Sequence, residues 1–221
     1  MKRSHKQSPA IRRRRTPESG YTLVEFVITG VLMMTVAAIA VLQLRPTWQD
    51  QQANAGMDDV KSTLRQARET AVAQRRSIVV KFVNSAPSGY CPSGGTNNCI
   101  ELYQMVVSGS PPTATMASSP YLTEAIEGTV SFGTYSGETD TPDGFGIPSS
   151  GGIEFNGLSG GPSSGMMFQS DGTFTDGSGN PINGTVFMVV SGVNNSARAV
   201  TILGNTGRIR SFRNTVSGWM Q

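Results

Sequence analysis

The sequence Ser19-Gly-Tyr-Thr-Leu-Val-Glu-Phe-Val-Ile-Thr-Gly-Val-Leu-Met-Met-Thr-Val-Ala-Ala-Ile-Ala-Val-Leu42 decides how the rest of the chain is organised. It contains one charged residue, Glu25, and is otherwise dominated by Val, Leu, Ile, Met and Ala. Extended to Leu44, it reaches the roughly 20 residues that an α-helix needs to cross a bilayer. We therefore predict a transmembrane helix over residues 21–44.

Glu25 separates this stretch from a simple membrane anchor. A carboxylate within a membrane segment is costly and usually has a partner or a function. A cleavable secretory signal is the alternative, because Ala38-Ile39-Ala40 has the small-residue pattern of a cleavage site. A secretory signal does not account for Glu25.

Gly20 followed by Tyr-Thr-Leu-Val-Glu25 resembles the prepilin signature of type IV pilins and type II secretion pseudopilins. In that family, prepilin peptidase cuts after the glycine and the new N-terminal residue is methylated. The glutamate pairs with the N-terminal amine of a neighbouring subunit. The resemblance implies cleavage between Gly20 and Tyr21, methylation of Tyr21 and an assembly role for Glu25. Tyr21 stands where the family usually has phenylalanine.

Residues 1–20 form a basic leader in this interpretation. The leader holds seven of the 18 basic residues and one of the 15 acidic residues, so the formal net charge of +3 becomes −3 without it. The basic pI is therefore no evidence for nucleic-acid binding, although Arg12–Arg15 alone could form such a patch. Under the positive-inside rule the leader stays in the cytoplasm. We expect a single-pass inner-membrane protein whose C-terminal domain lies in the periplasm.

A second helical segment is predicted over residues 45–76. Arg45-Pro46 should end or kink the first helix, because proline lacks a backbone donor and clashes with the preceding turn. One apolar face follows at spacings of three and four residues, which is the period of an amphipathic helix. Its members are Met57, Val60, Leu64, Ala67 and Ala71.

Residues 77–221 are predicted to form a β-rich globular domain. We expect eight strands, separated by Gly, Pro, Asn and Asp clusters and paired antiparallel. Their ranges are 77–83, 100–107, 129–135, 152–155, 166–168, 185–190, 197–203 and 208–212. Segments 136–151 and 156–165 are expected to be exposed loops. The predicted fold class is α+β, with the C-terminal half of the long N-terminal helix packed on the sheets.

The stretch from Leu64 to Val80 resembles the GspH/FimT subgroup of minor pilins and pseudopilins. That subgroup has an A-R-x-x-A helix end, a basic turn and a β-strand. Arg68, Ala71, Arg75 and Arg76 occupy those places here.

Cys91 and Cys99 are the two cysteines of the chain. In an exported domain they favour a disulfide, worth about 2 to 3 kcal/mol for so short a loop. A metal site is the weaker alternative, because the one histidine, His5, lies in the leader. The same absence argues against histidine-assisted catalysis. We expect neither an enzyme nor a cofactor.

A locally basic C-terminal edge is the remaining candidate site. No acidic residue occurs between Gly177 and Gln221, whereas four arginines do. Gly207-Arg-Ile-Arg210, followed by Arg213, allows three interpretations: a charged edge that deters aggregation, docking on an acidic subunit, or phosphate contacts. The motif resembles the G-R-x-R motif of FimT-like minor pilins, which implies DNA capture. The carboxylates of Glu138, Asp140, Asp143, Asp171 and Asp176 suggest calcium, but they match no EF-hand and Asp-Gly is a common turn signal.

Together these features predict a structural minor pilin or pseudopilin. Its partners would be prepilin peptidase, the inner membrane and other pilin or pseudopilin subunits of a type II secretion pseudopilus or a type IV pilus. The alternative is a DNA-binding minor pilin for DNA uptake. These two functions share the same N-terminal features.

Overall fold

The structure is a computed structural model. It describes residues 22–84, 90–91, 98–111, 113–126, 129–148, 151–155, 166–193, 196–215 and 217–221, without the side chains of residues 42–46. Gly20 and Tyr21 lie outside the described residues, as does segment 156–165.

Helix α1 spans Leu23–Gln74. It runs through Arg45 and Pro46, so of the two predicted alternatives, an end or a kink, the end is excluded. Its C-terminus is closed by Arg75, whose φ of 53° is left-handed. The amide of Arg75 donates to Val72 O at 3.3 Å, and that of Arg76 donates to Ala71 O at 3.1 Å. These two bonds form a Schellman motif, which explains why the helix stops at the predicted basic turn.

The chain divides into two compact units between Leu44 and Arg45. In the first unit, the apolar residues of Leu23–Val41 are exposed, from 53% for Val27 to 80% for Leu23. The second unit contains every residue of the three hydrophobic clusters found among the described residues. The second unit therefore has its own core.

Two antiparallel sheets make up the β-domain. The strands are β1 (Ile78–Val83), β2 (Cys99–Ser108), β3 (Thr113–Met116), β4 (Leu122–Ala125), β5 (Val130–Phe132), β6 (Ile153–Phe155), β7 (Met167–Phe168), β8 (Phe174–Thr175), β9 (Gly184–Val190), β10 (Arg198–Leu203), β11 (Arg208–Thr215) and β12 (Gly218–Met220). The first sheet has the order β3-β2-β1-β7-β8, with β4 also paired to β2, and the second has the order β12-β11-β10-β9-β5, with β6 also paired to β9.

Residues 45–74 form the second half of α1, which packs on both sheets. Val60, Leu64, Ala67 and Ala71 are all 0% exposed, and Met57 packs against them from a partly buried position. Their cluster also contains residues of β1, β7, β9 and β10. The predicted α+β class and the predicted apolar stripe are confirmed.

All eight predicted strands are present, with ends shifted by a few residues. Strands β3, β4, β8 and β12 were not predicted. The prediction that segment 136–151 is exposed is only partly right for its described residues: Ser136, Gly137 and Ile147 are exposed, but Glu138 is 8% and Thr141 3% exposed. This segment lies against the second sheet, where Trp219 Nε1 donates to Thr139 O at 2.8 Å.

Candidate functional site

The first candidate site is the N-terminal turn of α1. The hydroxyl of Thr22 accepts a hydrogen bond from the Glu25 amide at 3.3 Å, so Thr22 is the N-cap and Glu25 is the third helical residue. This Thr-x-x-Glu pattern is the sequence signature of a capping box and was not among the predictions. A carboxylate here is also favoured by the helix dipole. The helix dipole thus stabilises a carboxylate at position 25 without any partner subunit.

The Glu25 side chain itself is exposed. Among the described residues, no group donates a hydrogen bond to its carboxylate or pairs with it as a cation. It lies in Leu23–Val41, a 19-residue helical segment with a mean hydropathy of 2.2 and 0% burial. By length and composition this segment can cross a membrane, although a signal sequence passes the same test. Nothing within the described chain covers the segment or neutralises its carboxylate.

Strand β11 positions the three arginines of the C-terminal candidate site. Side chains alternate along a strand, so Arg208 and Arg210 share one face and Arg213 points to the other. Ile209 packs against the main core, as its position in the motif predicts. The three arginines therefore do not converge on one surface.

Arg210 is occupied within the molecule. Its Nη1 lies 2.8 Å from Asp143 Oδ1, and Asp143 Oδ2 accepts a hydrogen bond from the Thr201 hydroxyl at 2.6 Å. The Asp143 side chain is 12% exposed, so this ion pair is partly shielded from water. A phosphate could reach Arg210 only in competition with Asp143.

Arg198, the fourth arginine of the predicted basic edge, lies in the core. It is 2% exposed, its Nε donates to Asn54 Oδ1 at 2.8 Å, and its Nη2 lies 2.8 Å from Asp50 Oδ1. A buried charge is tolerated when it is paired and hydrogen-bonded in this way. Arg198 therefore joins α1 to β10 and does not belong to a surface patch.

Gly207, the glycine of the arginine motif, has a structural role. Its φ is +58°, and a Cβ at this position would lie 2.0 Å from Gly172 O and 2.9 Å from Arg68 Nε. Arg68 in turn donates to Gly172 O and Thr206 O. The motif at the end of α1 and the motif at the start of β11, which are far apart in the sequence, are thus in contact through Arg68 and the turn at Gly207.

The structure contains a disulfide between Cys91 and Cys99. Their sulfur atoms and a Glu101 carboxylate oxygen lie within 4.8 Å of one another, which resembles a metal site. Because both sulfurs are consumed in the disulfide, this group offers no thiolate ligand. Glu101 is instead part of a buried polar network, 2.7 Å from Tyr103 Oη and 3.5 Å from Lys81 Nζ. Burial, and then the hydrogen bond to Glu101, raises the pKa of Tyr103.

Four of the five carboxylates that suggested calcium are engaged in local turns, and the fifth, Asp143, binds Arg210 and Thr201. Asp140 accepts from the amides of Thr141 and Gly146. The hydrogen bonds from Thr173 lower the pKa of Asp171, and those from Asn180 lower the pKa of Asp176. Glu138 differs, because burial raises its pKa to about 7. These contacts are typical of Asp-rich turns.

Comparison with solved structures finds the type IV minor pilin FimU of Pseudomonas aeruginosa and the minor pseudopilin EpsH of the type 2 secretion system of Vibrio cholerae. Two crystal forms of FimU match at 16% identity, with TM-scores of 0.41 and 0.43, over 76% and 77% of this chain and 97% and 94% of FimU. EpsH matches at 12% identity with a TM-score of 0.41, over 73% of this chain and 97% of EpsH. No protein-family model matches the chain, and no curated protein matches it either.

Proposed function

We propose that the chain is a structural, non-catalytic subunit of a pilin-like filament. The filament is either a type II secretion pseudopilus or a type IV pilus. Residues 21–44 insert into the inner membrane, prepilin peptidase removes residues 1–20, and the new N-terminal Tyr21 is methylated. The β-domain then lies in the periplasm.

One observation carries this proposal: Glu25 is an exposed carboxylate on an exposed, otherwise apolar helical segment. In a bilayer or a packed filament, an unpaired carboxylate must either bind a proton or find a cation. The amine that cleavage creates on a neighbouring subunit is such a cation. Since this amine exists only after processing, the pairing would allow assembly only of mature subunits.

The test is the variant Glu25→Ala in a filament-forming host. We expect normal membrane insertion and loss of incorporation, measured by shearing the filaments and by co-purification. Asp58→Ala is the matched control, because Asp58 is an exposed carboxylate of the second unit. Incorporation of Glu25→Ala at the wild-type level would refute the proposal.

Processing has a separate test. N-terminal sequencing and mass spectrometry of the mature protein should give a chain that begins with methylated Tyr21. A chain that begins at Val41, after Ala38-Ile39-Ala40, would instead identify a cleaved secretory signal.

DNA capture is not part of this proposal. Of the two arginines in the strand motif, Arg210 is paired with Asp143, and Arg213 lies on the opposite face from both. The few remaining phosphate contacts would give only weak, salt-sensitive binding.

A further inference from the structure

A groove of about 430 Å³ lies between the second half of α1 and the turn that joins β10 to β11. This volume is within the usual range of ligand pockets. Its apolar lining residues are Leu203 and Ile209. Its charged lining consists of Arg65, Arg68, Glu69 and Arg208.

The two sides of the groove are tied together by Arg68. Its Nη2 donates to Thr206 O at 3.1 Å, and its Nε donates to Gly172 O at 3.2 Å. The close approach of Gly207 to Gly172 holds the same turn in place. The groove is therefore a preformed feature of the second unit, and a ligand would not have to order it.

Arg65 and Arg208 both line this groove. Arg65 and Arg208 are exposed and, within the part of the chain that the structure describes, neither has a hydrogen-bond or ion-pair partner. Arg68 and Arg210, by contrast, are satisfied within the molecule. Planar guanidinium forks match carboxylate oxygens in paired, charge-assisted hydrogen bonds.

Glu69 and the apolar lining residues favour the carboxylates of a protein segment over the phosphates of a nucleic acid. Glu69 is exposed in the same groove and would repel a chain of closely spaced phosphates. A protein segment can instead place a carboxylate at each arginine and an apolar side chain against Leu203 or Ile209. We propose that this groove binds an acidic segment of a partner subunit in which apolar residues flank the carboxylates. This interface rests on the proposed filament function and goes beyond it, because it names a docking surface on the β-domain.

The test measures peptide binding to the full chain in detergent micelles by fluorescence anisotropy. The probe is a fluorescein-labelled peptide, Ala-Leu-Glu-Leu-Asp-Leu-Ala, with capped ends. The control peptide replaces its two acids with Gln and Asn. We expect the acidic peptide to bind roughly tenfold more tightly than the amide peptide, because two charge-assisted contacts are lost in the latter.

The double variant Arg65→Gln/Arg208→Gln should remove this preference. Arg76→Gln, an exposed arginine outside the groove, should bind within about twofold of wild type, as expected for a distant surface charge. A charge-reversed variant, Arg65→Glu/Arg208→Glu, should prefer a peptide with two lysines in place of the acids. A preference of Arg65→Glu/Arg208→Glu for the lysine peptide would show that the groove remains folded when both arginines are replaced. Loss of binding in Arg65→Gln/Arg208→Gln could then not be explained by misfolding.

Equal binding of the acidic and amide peptides by the wild type would overturn the proposal. A short duplex DNA that binds more tightly than the acidic peptide, and loses binding in Arg65→Gln/Arg208→Gln, would also overturn it in favour of a phosphate site. Peptide binding does not depend on filament assembly. Normal assembly of Glu25→Ala would therefore refute the filament function without changing the peptide result.

Discussion

The two halves of α1 have the same backbone conformation and opposite surroundings. Over Leu23–Val41 the apolar side chains cover all sides of the helix and are exposed. Over residues 53–71 the apolar side chains form one stripe, and Val60, Leu64, Ala67 and Ala71 are completely buried. The first half carries an exposed carboxylate at Glu25, whereas charged residues of the second half contact the sheets.

This difference shows that a segment of this chain can form a helix without being buried by the rest of the chain. A helix that is apolar on all sides needs surroundings that are apolar on all sides, which a membrane or a bundle of neighbouring helices supplies. An amphipathic helix needs one apolar surface, and here the two sheets of the same chain supply it. The stability of the second unit should therefore depend on the second half of α1 and be insensitive to the first.

The largest expected effect comes from a matched pair of leucines. Leu64→Ala removes a completely buried side chain and should lower the free energy of unfolding of the β-domain by about 3 kcal/mol. Leu32→Ala, at a leucine that is 59% exposed, should leave it unchanged. Urea unfolding of the full chain in detergent, followed by circular dichroism of the strands, measures both. Equal destabilisation by the two variants would contradict the proposed division of the helix.

The sequence was sufficient to predict this division because both patterns are local. Spacings of three and four residues from Met57 to Ala71 identify the buried stripe, and the uncharged run after Glu25 identifies the other half. Short or polar strands lack such a pattern: all four residues of β3 are exposed, and β8 has two residues. Their formation depends on pairing with neighbours that are distant in the sequence.

Contacts between residues that are distant in the sequence also determine which of the candidate arginines can bind a ligand. Arg198 and Arg210 look alike in the sequence, but one is buried against Asp50 and Asn54 and the other is paired with Asp143. The turn-rich composition of residues 136–148 correctly indicates a loop and gives no sign that the loop covers the second sheet. Thr22 is the exception, because the capping-box pattern could have been found locally.

A second prediction concerns the polar contact between α1 and the turn at Gly207. Gly207→Ala would place a Cβ against Gly172 O and Arg68 in a left-handed conformation, and should cost about 2–3 kcal/mol. Gly179→Ala is the control: its φ is +85°, but no atom lies within 4 Å of the added Cβ. Thermal unfolding of both variants separates backbone strain from the close approach. If both variants lose the same stability, backbone strain alone explains the loss. The close approach of Gly207 to Gly172 and Arg68 would then add nothing to the stability of the second unit.

A third prediction concerns the titration of Glu138, a buried glutamate of the second unit. Glu25 is exposed in the first unit, whereas Glu138 is 8% exposed in the second and burial raises its pKa to about 7. The folded state then binds a proton that the unfolded state has released above pH of about 4.5. Stability from this group is present below the unfolded pKa and is lost as the pH rises to about 7. Glu138→Gln cannot titrate, so its stability loss between pH 5 and pH 8 should be smaller by about 1–2 kcal/mol.

The measurement is the unfolding free energy of wild type and Glu138→Gln at several pH values between those limits. The second unit also contains other titrating groups, and the difference between the two proteins isolates Glu138. Parallel pH curves for both proteins would mean that this carboxylate is ionised throughout. Its Oε1, which has no hydrogen-bond partner among the described residues, would then have to be solvated.

The smallest expected effect concerns the rim of the interface between the second half of α1 and the second sheet. Lys61 Nζ donates to Ser211 Oγ on β11 at 2.9 Å, in a partly buried position. Lys61→Met and Ser211→Ala should each cost little, and their double-mutant cycle should give a coupling of about 0.5–1 kcal/mol. Methionine keeps the long aliphatic stem of lysine, so packing along the helix is retained and the cycle reports the hydrogen bond. A coupling near zero would mean that this hydrogen bond adds nothing to the stability of the interface, which would then depend on the apolar stripe and on the contacts of Arg68 and Arg198.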